Sequence, residues 1–408
     1  MNNFEKMNNK KKKALSGAIA FITLMGIVSL FSDMTHEGAR SILGNYLNLA
    51  GASAATIGFV SGAGELFGYS LRIVSGLIAD KTKKYWTLVI AGYAIQVLAI
   101  PALALIPEHG WFWACGLVIL ERIGKAIKKP AKNTLVSFAA SEIGTGKGFA
   151  YQEFLDQLGA FLGPVLLFAT ALVKGTDDLF ATYRASFAVL LVPALITIAL
   201  VIAAKIKYPD PEMFEKQDDK PEDFKFRKSF ILYMAAICFF AFGFADFTLI
   251  TLHAANAGAF PESTLSLLYA AAMAVDAFAA LFFGWLYDKV GLKALIISTL
   301  CSTFFSCFVF MTGNAWMIGI GIILWGIGMG AQESIMKAAV SGIVPRSMRS
   351  TGFGIFETGF GIAWFLGSWL LGALYDLNPV YLVAVSVISQ LMAIGFYIMC
   401  LRSDKADR

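Results

Sequence analysis

The chain alternates long apolar segments with short polar connections. Most of the apolar segments lack the polar stripe that a surface helix of a water-soluble bundle would show. Each is long enough to cross about 30 Å of hydrocarbon as a helix. We place twelve such helices, at 14–46, 54–79, 86–106, 111–140, 148–173, 182–206, 229–255, 262–287, 292–312, 315–341, 350–374 and 379–401. The pattern predicts an all-α, polytopic membrane protein.

Composition supports a lipid environment. Of the 408 residues, 58% are hydrophobic and 15% are charged, whereas about a quarter of the residues are charged in soluble domains. The formal charge of +5 is concentrated in alternate connections, so it indicates topology rather than a nucleic-acid partner. Because positively charged loops stay inside, both termini are predicted to be cytoplasmic. The first apolar segment is too long for a cleavable signal peptide.

One linker and one duplication organise the chain. The charged run at 207–228, which begins with prolines, divides it. The predicted domains are a tail at 1–13, a six-helix bundle at 14–206, the linker at 207–228, a second bundle at 229–401 and a tail at 402–408. Shifting the first half by 204 positions places Gly148-Phe149 on Gly352-Phe353 and Glu153 on Glu357. Such internal similarity is typical of transporters built from repeats.

A loop signature occurs twice, as Gly76-Leu-Ile-Ala-Asp80-Lys-Thr-Lys-Lys84 and more weakly from Gly284 to Lys293. This pattern resembles the loop signature of the major facilitator superfamily, and the resemblance extends over residues 14–401. It implies two pseudo-symmetric six-helix bundles that work by alternating access around a site at mid-membrane. It also implies a monomer without a cofactor in a plasma membrane, here a bacterial inner membrane, that handles a small molecule.

The two copies of the signature predict a cytoplasmic latch. A glycine lets a neighbouring helix approach closely, and an acid one turn later can face the positive N-terminus of that neighbour. The resemblance makes that neighbour the eleventh helix for Asp80 and the fifth helix for Asp288. Alternatively, the bases only set topology. The latch residues are Gly76, Asp80, Lys81, Lys84, Gly284, Asp288 and Lys289.

The fifth helix carries a second motif, Gly159-Ala-Phe-Leu-Gly163-Pro164. Small residues four apart give a packing face, and the proline bends the helix. The motif resembles that of the superfamily's antiporters. A generic contact between small residues is the alternative.

The fourth helix carries Arg122-Ile-Gly124, preceded by Glu121 and followed by lysines. It resembles the superfamily's fourth-helix arginine motif, which is tied to proton coupling, but the lysine-rich continuation departs from that pattern. Glu121, Lys125, Lys128 and Lys132 share one helical stripe. Lys125 is predicted to face the cavity, whereas Lys129 and Lys132 are predicted to extend to lipid headgroups.

Charged residues inside the apolar helices mark a transport pathway, because they are costly there unless paired or hydrated. The proton-coupling candidates are Asp33, Glu37, Arg122, Glu153 and Asp156. The substrate-cavity candidates are His36, Arg40, Glu65, Arg72, Lys125, Gln157, Asp246, His253, Asp276, Gln332, Glu333 and Glu357. Arg72 is predicted to pair with an acid, and Arg122 with Glu153 or Asp156. Glu37 and Arg40 could pair along one face of the first helix, or they could be solvated at the outer interface.

Other chemistries lack their patterns. The chain has no phosphate-binding glycine loop followed by Lys-Ser/Thr and no nucleophile elbow, so neither an ATP-driven pump nor an enzyme is expected. His36 and His253 have no second ligand in a metal-binding spacing, and the five cysteines lie in apolar segments. No metal is therefore predicted.

The predicted function is proton-coupled antiport that exports a small organic molecule, supported by the Gly-Pro motif and the many acids. The alternative is proton-coupled symport of an organic anion, an amino acid or a phosphorylated metabolite. The basic residues Arg40, Arg72, Arg122 and Lys125 support it. A non-transporting receptor or an uncoupled facilitator is a third reading.

Overall fold

The computed structural model describes residues 3–52, 54–174, 178–215, 228–260 and 262–406, which are mostly helical and contain no strand. The helices are α1 (Asn3–Leu49), α2 (Ala54–Thr82), α3 (Tyr85–Ala102), α4 (Trp111–Ile143), α5 (Thr145–Lys174), α6 (Leu179–Val189), α7 (Leu191–Lys207), α8 (Lys228–Gly243), α9 (Phe247–Asn256), α10 (Glu262–Val290), α11 (Lys293–Ser302), α12 (Phe305–Phe310), α13 (Ala315–Ile343), α14 (Arg349–Leu377) and α15 (Pro379–Ala406). Short 3₁₀ turns lie at Leu103–Leu105, Pro211–Phe214 and Arg346–Met348.

Three of the predicted spans are each interrupted once. These are α6 with α7, α8 with α9, and α11 with α12, so that the twelve predicted spans appear as fifteen helices. The break at Leu190 has a clear cause, because Pro193 cannot donate a hydrogen bond to the carbonyl of Val189. Among the described residues, ten spans are long and apolar enough to cross a membrane. The long helices α2 and α4 are not among these ten, and α4 contains the charged stripe.

The first helix and the linker differ from the expectation. Helix α1 begins at Asn3, so most of the predicted tail continues the first helix. The first part of the linker packs against the helices: the Trp86 indole donates to the carbonyl of Tyr208 at 3.1 Å, and Phe214 is buried beside Phe21. The rest of the linker, at 216–227, lies outside the described residues, and the domain boundaries stay predictions.

Contacts between Cα atoms divide the chain into two compact units. Unit 1 comprises Met1–Ile143, Phe154–Asp218 and Met348–Ile355. Unit 2 comprises Gly144–Glu153, Asp219–Ser347 and Phe356–Arg408. The beginning of α14 therefore belongs to unit 1, and the beginning of α5 belongs to unit 2.

Within unit 1, α4 is the central helix. It packs along α3, α2 and α1, and α1 also packs against α7. An aromatic core supports this group: Tyr46 stacks on Phe180, with 5.5 Å between the ring centroids, and its hydroxyl donates to the carbonyl of Leu103 at 2.8 Å. The face of α4 that meets α1 carries the charged residues described below.

Within unit 2, α13 occupies the corresponding place. It packs along α10, α11 and α12, while α8 packs along α15. Phe244, at the break between α8 and α9, lies 4.8 Å from Phe305 and 5.7 Å from Trp325 between ring centroids. The Trp325 indole donates to the carbonyl of Ala245 at 2.9 Å, which stabilises that break.

Candidate functional site

Asp80 at the end of α2 binds the beginning of α14. Its carboxylate accepts hydrogen bonds from the amides of Thr351, at 2.6 Å, and Ser350, at 3.2 Å. Amides in the first turn of a helix have no partner within that helix, so the carboxylate satisfies them and meets the positive end of the helix dipole. A side chain at Gly76 would collide with the carbonyl of Ser350. The predicted contact between Asp80 and this helix is present.

Asp288 at the end of α10 makes the equivalent contact in unit 2. Its carboxylate accepts from the amides of Gly146, at 2.8 Å, and Lys147, at 3.1 Å, at the beginning of α5. A Cβ atom at Gly284 would lie 2.6 Å from the carbonyl oxygen of Gly146. Gly144 has φ +101° and lies against the Asp288 carboxylate, so glycine suits both its conformation and its space.

Among the described residues, the bases of the signature take no part in the hydrogen bonds of Asp80 and Asp288 to the helix ends. Lys81 and Lys84 are exposed, and the exposed Lys289 lies 3.7 Å from the centroid of the Trp285 ring. The glycines and acids therefore make the helix contacts, and the latch role of the set stays a proposal.

Arg349, in the part of α14 that belongs to unit 1, makes a further contact within that unit that the sequence did not reveal. Its guanidinium donates two parallel hydrogen bonds to the Glu215 carboxylate, at 2.6 and 2.9 Å, and one to the Ser137 hydroxyl at 3.2 Å. Bidentate pairs of this kind have well-defined geometry. Glu215 directly follows the packed linker turn, whereas the charged linker sequence had indicated a solvated segment.

The glycine motif of α5 packs on α1. A Cβ atom at Gly159 would collide with the carbonyl of Leu30, and one at Gly163 would lie 2.7 Å from the amide nitrogen of Gly38. These contacts hold the charged segment of α1 in place. Pro164 lies inside a continuous helix, and the bend stays a prediction.

The first charged cluster of unit 1 surrounds His36 of α1, which is 4% exposed. Lys125 donates to Nε2 of the imidazole at 3.0 Å, and Arg122 approaches the same nitrogen at 3.4 Å. Nδ1 lies 3.0 Å from Oε1 of Glu121, and Nε2 lies 3.6 Å from Oε1 of Glu37. Helices α1 and α4 thus place an imidazole between bases and acids.

Two further lysines of α4 point at serines of α1. Lys128 and Lys132 are 4% and 6% exposed. Lys128 donates to the Ser32 hydroxyl at 3.0 Å and lies 3.7 Å from the centroid of the Tyr93 ring. Lys132 donates to the Ser29 hydroxyl. The expectation that Lys132 extends to headgroups is wrong, because α4 continues to Ile143 and buries this side chain.

Unit 2 contains a cluster of acids with one base. Lys337 of α13 donates to Oε2 of Glu153, on α5, at 2.8 Å. Glu333 of α13 lies within electrostatic reach of Glu153. Asp276 of α10 is fully buried, within electrostatic reach of Glu153 and Lys337. Neither of its carboxylate oxygens has a hydrogen-bond partner among the described residues.

Arg122 and the two acids predicted to pair with it have other partners, whereas Glu37 and Arg40 lie close together. Arg122 lies 3.5 Å from Glu121, Asp156 lies 3.5 Å from Lys132, and Glu153 binds Lys337. Glu37 lies 3.6 Å from Arg40, which is 58% exposed. Sequence reasoning placed Glu121 and Lys132 on the right stripe but could not identify their partners, which α1 and α5 supply.

Several other predicted cavity residues have local roles. Asp246 caps α9 by accepting from the amide of Thr248 at 2.9 Å, and His253 contacts Tyr375 and the carbonyl of Thr312 at 3.1 and 3.2 Å. The Gln332 amide donates to the Thr299 hydroxyl at 3.0 Å.

The remaining predicted residues are spread over the helices. Arg72 is buried with its guanidinium 4.0 Å from the centroid of the Tyr69 ring. The Glu357 side chain is buried, and Asp33 and Gln157 are half-buried. The side chain of Glu65 lies outside the described residues.

Fold and site together define a class, a helical membrane transporter with duplicated halves and ionisable groups inside its helices. The family model of the Major Facilitator Superfamily matches residues 14–258 and 235–407. The chain therefore belongs to this superfamily, whose members are membrane transporters rather than enzymes, and it is a multi-pass secondary transporter.

Two relatives extend over nearly the whole chain. An uncharacterized protein of Mycobacterium tuberculosis (strain ATCC 25618 / H37Rv) is 37% identical over 390 residues, which cover 94% of this chain and 93% of the relative. An uncharacterized MFS-type transporter of Methanocaldococcus jannaschii is 26% identical over 393 residues, which cover 91% of this chain and 92% of the relative.

Solved structures share the fold at low sequence identity. The transporter FucP in an outward conformation aligns with a TM-score of 0.72 and 16% identity, covering 94% of this chain and 98% of FucP. A bacterial homologue of the iron transporter ferroportin aligns with a TM-score of 0.73 and 14% identity, covering 94% and 99%. The human organic anion transporter MFSD10 aligns with a TM-score of 0.69 and 11% identity, covering 95% and 99%. At these identities the likeness shows the fold alone.

Proposed function

We propose that this protein is a proton-coupled symporter of a small organic anion in the plasma membrane. The bases of α4 bind the anionic group of the substrate, and the acid cluster of unit 2 binds a coupling proton. Both termini lie in the cytoplasm, and transport proceeds by alternating access.

The observation that carries the proposal is the state of Lys125 and Lys128. An ammonium group has three donors, and within the helices of a membrane protein an unneutralised charge is costly. Among the described residues, Lys125 has a hydrogen bond only to His36, and Lys128 only to Ser32. Neither has a carboxylate at ion-pair distance among those residues. A substrate carboxylate, sulfonate or phosphate would give these ammonium groups an anion in direct contact, whereas the acids that interact with them lie beyond ion-pair distance.

The acid cluster supports proton coupling. Neighbouring carboxyl groups such as Glu153 and Glu333 repel each other when both are ionised, so their proximity favours binding of a proton. Asp276 adds a third carboxyl group in a fully buried place. Such a group can gain or lose a proton only together with a change in its surroundings, which is what coupling requires.

The same cluster supports a second candidate, proton antiport that exports a small organic cation. Three carboxyl groups with one lysine suit a positively charged ligand, which would compete with protons there. The antiporter-like glycines do not add to this candidate, since their packing on α1 accounts for them.

A thermal-unfolding screen of the purified full-length protein distinguishes the two candidates. The anion probes are lactate, glutamate and ethanesulfonate, and the cation probes are tetraphenylphosphonium and spermidine. A ligand at a hundred times its Kd stabilises by about 2.7 kcal/mol, so binding is readable as a shift in Tm. We expect anions to raise the Tm and cations to leave it unchanged.

Charge variants test the site itself. Lys128→Met retains the aliphatic stem, removes the charge and should abolish the shift caused by anions. Lys205→Met makes the same change at an exposed position at the end of α7 and should retain the shift. Stabilisation by cations alone, or an undiminished anion shift in Lys128→Met, would contradict the proposal.

The direction of coupling is then measured in proteoliposomes that enclose a pH-sensitive dye. An inward gradient of a stabilising anion should acidify the lumen, because symport moves protons with the anion. Alkalinisation would indicate antiport, and an unchanged pH would indicate an uncoupled facilitator.

A further inference from the structure

His36 lies where an anion and a proton can affect each other. Its imidazole is buried between α1 and α4, with the Lys125 ammonium 3.0 Å from Nε2 and the Glu121 carboxylate 3.0 Å from Nδ1. The ring thus connects one of the bases proposed to bind the substrate with a buried acid.

The contacts fix the protonation of the ring. Lysine and arginine side chains only donate hydrogen bonds. Because Lys125 donates to Nε2, that nitrogen must be the unprotonated acceptor, and the single proton of a neutral imidazole is on Nδ1. In this tautomer the protonated Nδ1 lies 3.0 Å from Oε1 of Glu121, a group that can only accept. The imidazole is therefore neutral as long as Lys125 is bound to it.

We propose that His36 binds a second transported proton, which enters with the anion. When the anionic group of the substrate draws the Lys125 ammonium away, Nε2 loses the nearer of its two cationic neighbours, Arg122 remaining at 3.4 Å, and takes a proton from water. The imidazolium is then stabilised by Glu121 and Glu37. The anion adds one negative charge and the proton one positive charge, so the cluster keeps its net charge. This inference rests on the proposed anion site.

The charged groups that face the ring support this exchange. They are Glu37 and Arg40 of α1 and Glu121, Arg122 and Lys125 of α4. Two acids of α5 have other partners: Asp156 contacts Lys132, and Glu153 binds Lys337.

The other helices against α1 contribute few charges. Helix α3 contains no charged residue, α6 contains only Arg184, which donates to the carbonyl of Ala104, and α7 contains lysines only in its last turn. From α2, Arg72 lies over the Tyr69 ring, and the side chain of Glu65 lies outside the described residues.

Proton linkage gives the measurable consequence. If anion binding raises proton binding, then lowering the pH must tighten anion binding by the same coupling. Each linked proton can change the Kd by at most about tenfold per pH unit. The proposal predicts that His36 accounts for about one proton per bound anion when binding is measured between about pH 6 and pH 8.

The main experiment counts protons taken up when lactate or ethanesulfonate binds, because both probes are fully ionised in this range. Titration calorimetry of the full-length protein in buffers of different ionisation enthalpy gives this number. His36→Gln can still accept from Lys125 and donate to Glu121, but it cannot titrate. We expect it to bind the anions with about one proton fewer than the unmodified protein and with a shallower pH dependence of Kd.

Matched variants separate the outcomes. His109→Asn changes an exposed histidine with φ +65° to a residue that tolerates this conformation, and it should keep the proton uptake. Equal uptake in His36→Gln and the unmodified protein would overturn the role of His36 while leaving the anion symporter intact. If neither probe binds the unmodified protein at any pH, the anion site itself is wrong.

A ligand-free measurement tests the same assignment. The chain has three histidines, so ¹⁵N spectra of histidine-labelled protein can be assigned by comparison with His36→Gln. We expect an Nδ1–H tautomer for His36, and in Lys125→Met a ring that is protonated at higher pH than in the unmodified protein. An Nε2–H tautomer at neutral pH would refute the proposal.

Discussion

Replacing Asp80 with asparagine should loosen the beginning of α14 without unfolding the protein. The carboxylate accepts from two consecutive amides, Ser350 and Thr351, and is 7% exposed. Asparagine has almost the same shape but offers only one accepting oxygen. It turns an amino group toward the other amide, so one hydrogen bond is lost and two donors face each other.

The magnitude follows from these two bonds. A hydrogen bond to a charged group contributes about 1.5–3 kcal/mol, and the interaction of an acid with a helix N-terminus contributes up to about 2 kcal/mol when it is partly buried. Losing one bond and the charge should therefore cost about 2–3 kcal/mol locally. Because local opening governs the exchange of protected amides, this cost corresponds to exchange that is roughly 30- to 150-fold faster.

Hydrogen–deuterium exchange with mass spectrometry measures this effect in the peptide that covers residues 346–355. Asp288→Asn is the matched variant, because Asp288 accepts from Gly146 and Lys147 at the beginning of α5. Each variant should accelerate exchange at its own partner helix and leave the other unchanged. Unchanged exchange in both, or equal acceleration at both helix ends, would refute the reasoning.

Three further predictions concern packing and the acid cluster. Gly163→Ala places a methyl group against the α1 backbone and should destabilise the protein by about 1–3 kcal/mol. Gly395→Ala, where a Cβ atom meets nothing within 4 Å, should not lower the Tm. Equal Tm values for the two variants would contradict the close contact at Gly163. Lys337→Met leaves the buried Glu153 without its base and should destabilise by about 3–5 kcal/mol. Asp276→Asn should keep the Tm and lose pH-driven transport in proteoliposomes; transport that still follows the pH gradient would remove Asp276 from the coupling site.

The helices and the helix-end contacts could be predicted because their signals are local. Apolar length identifies a span, and a glycine one turn before an acid identifies a place where a second helix can approach. Asp80 and Asp288 illustrate this, since the first turn of any helix offers unpaired amides to a nearby acid. Glu215 has no such signal, because its partner Arg349 is distant in sequence and the linker composition is typical of solvated chain.

The buried lysines of α4 show why part of the site could not be predicted. The sequence placed Lys132 at the cytoplasmic end of the predicted helix, near headgroups, whereas the structure buries it and α1 supplies a hydroxyl partner. The signal was present in α1 as Ser29 and Ser32, which lie three residues apart and meet Lys132 and Lys128. Pairing these two patterns required knowing that α1 and α4 pack together. Asp246 shows the opposite case, because a residue predicted to line the substrate cavity caps α9.

Between α4 and α13, the two halves have kept glycines that build the fold and have changed residues that carry charge. At the shift of 204 positions, Gly124 of α4 matches Gly328 of α13, and both lie in close helix contacts. At the same shift, Lys125 matches Met329 and Lys128 matches Gln332.

A basic row on α4 and an acid cluster in unit 2, to which α5 contributes Glu153, is the division expected if one unit binds an anion and the other binds a proton. A substrate that needed identical contacts from α4 and α13 would instead have kept lysines at matching positions of both helices. Lys125 and Lys128 have no charged counterpart in α13. Introducing lysine at Met329 or Gln332 would therefore place a new charge in unit 2. This asymmetry is why the anion site should depend on α4 rather than on both repeats.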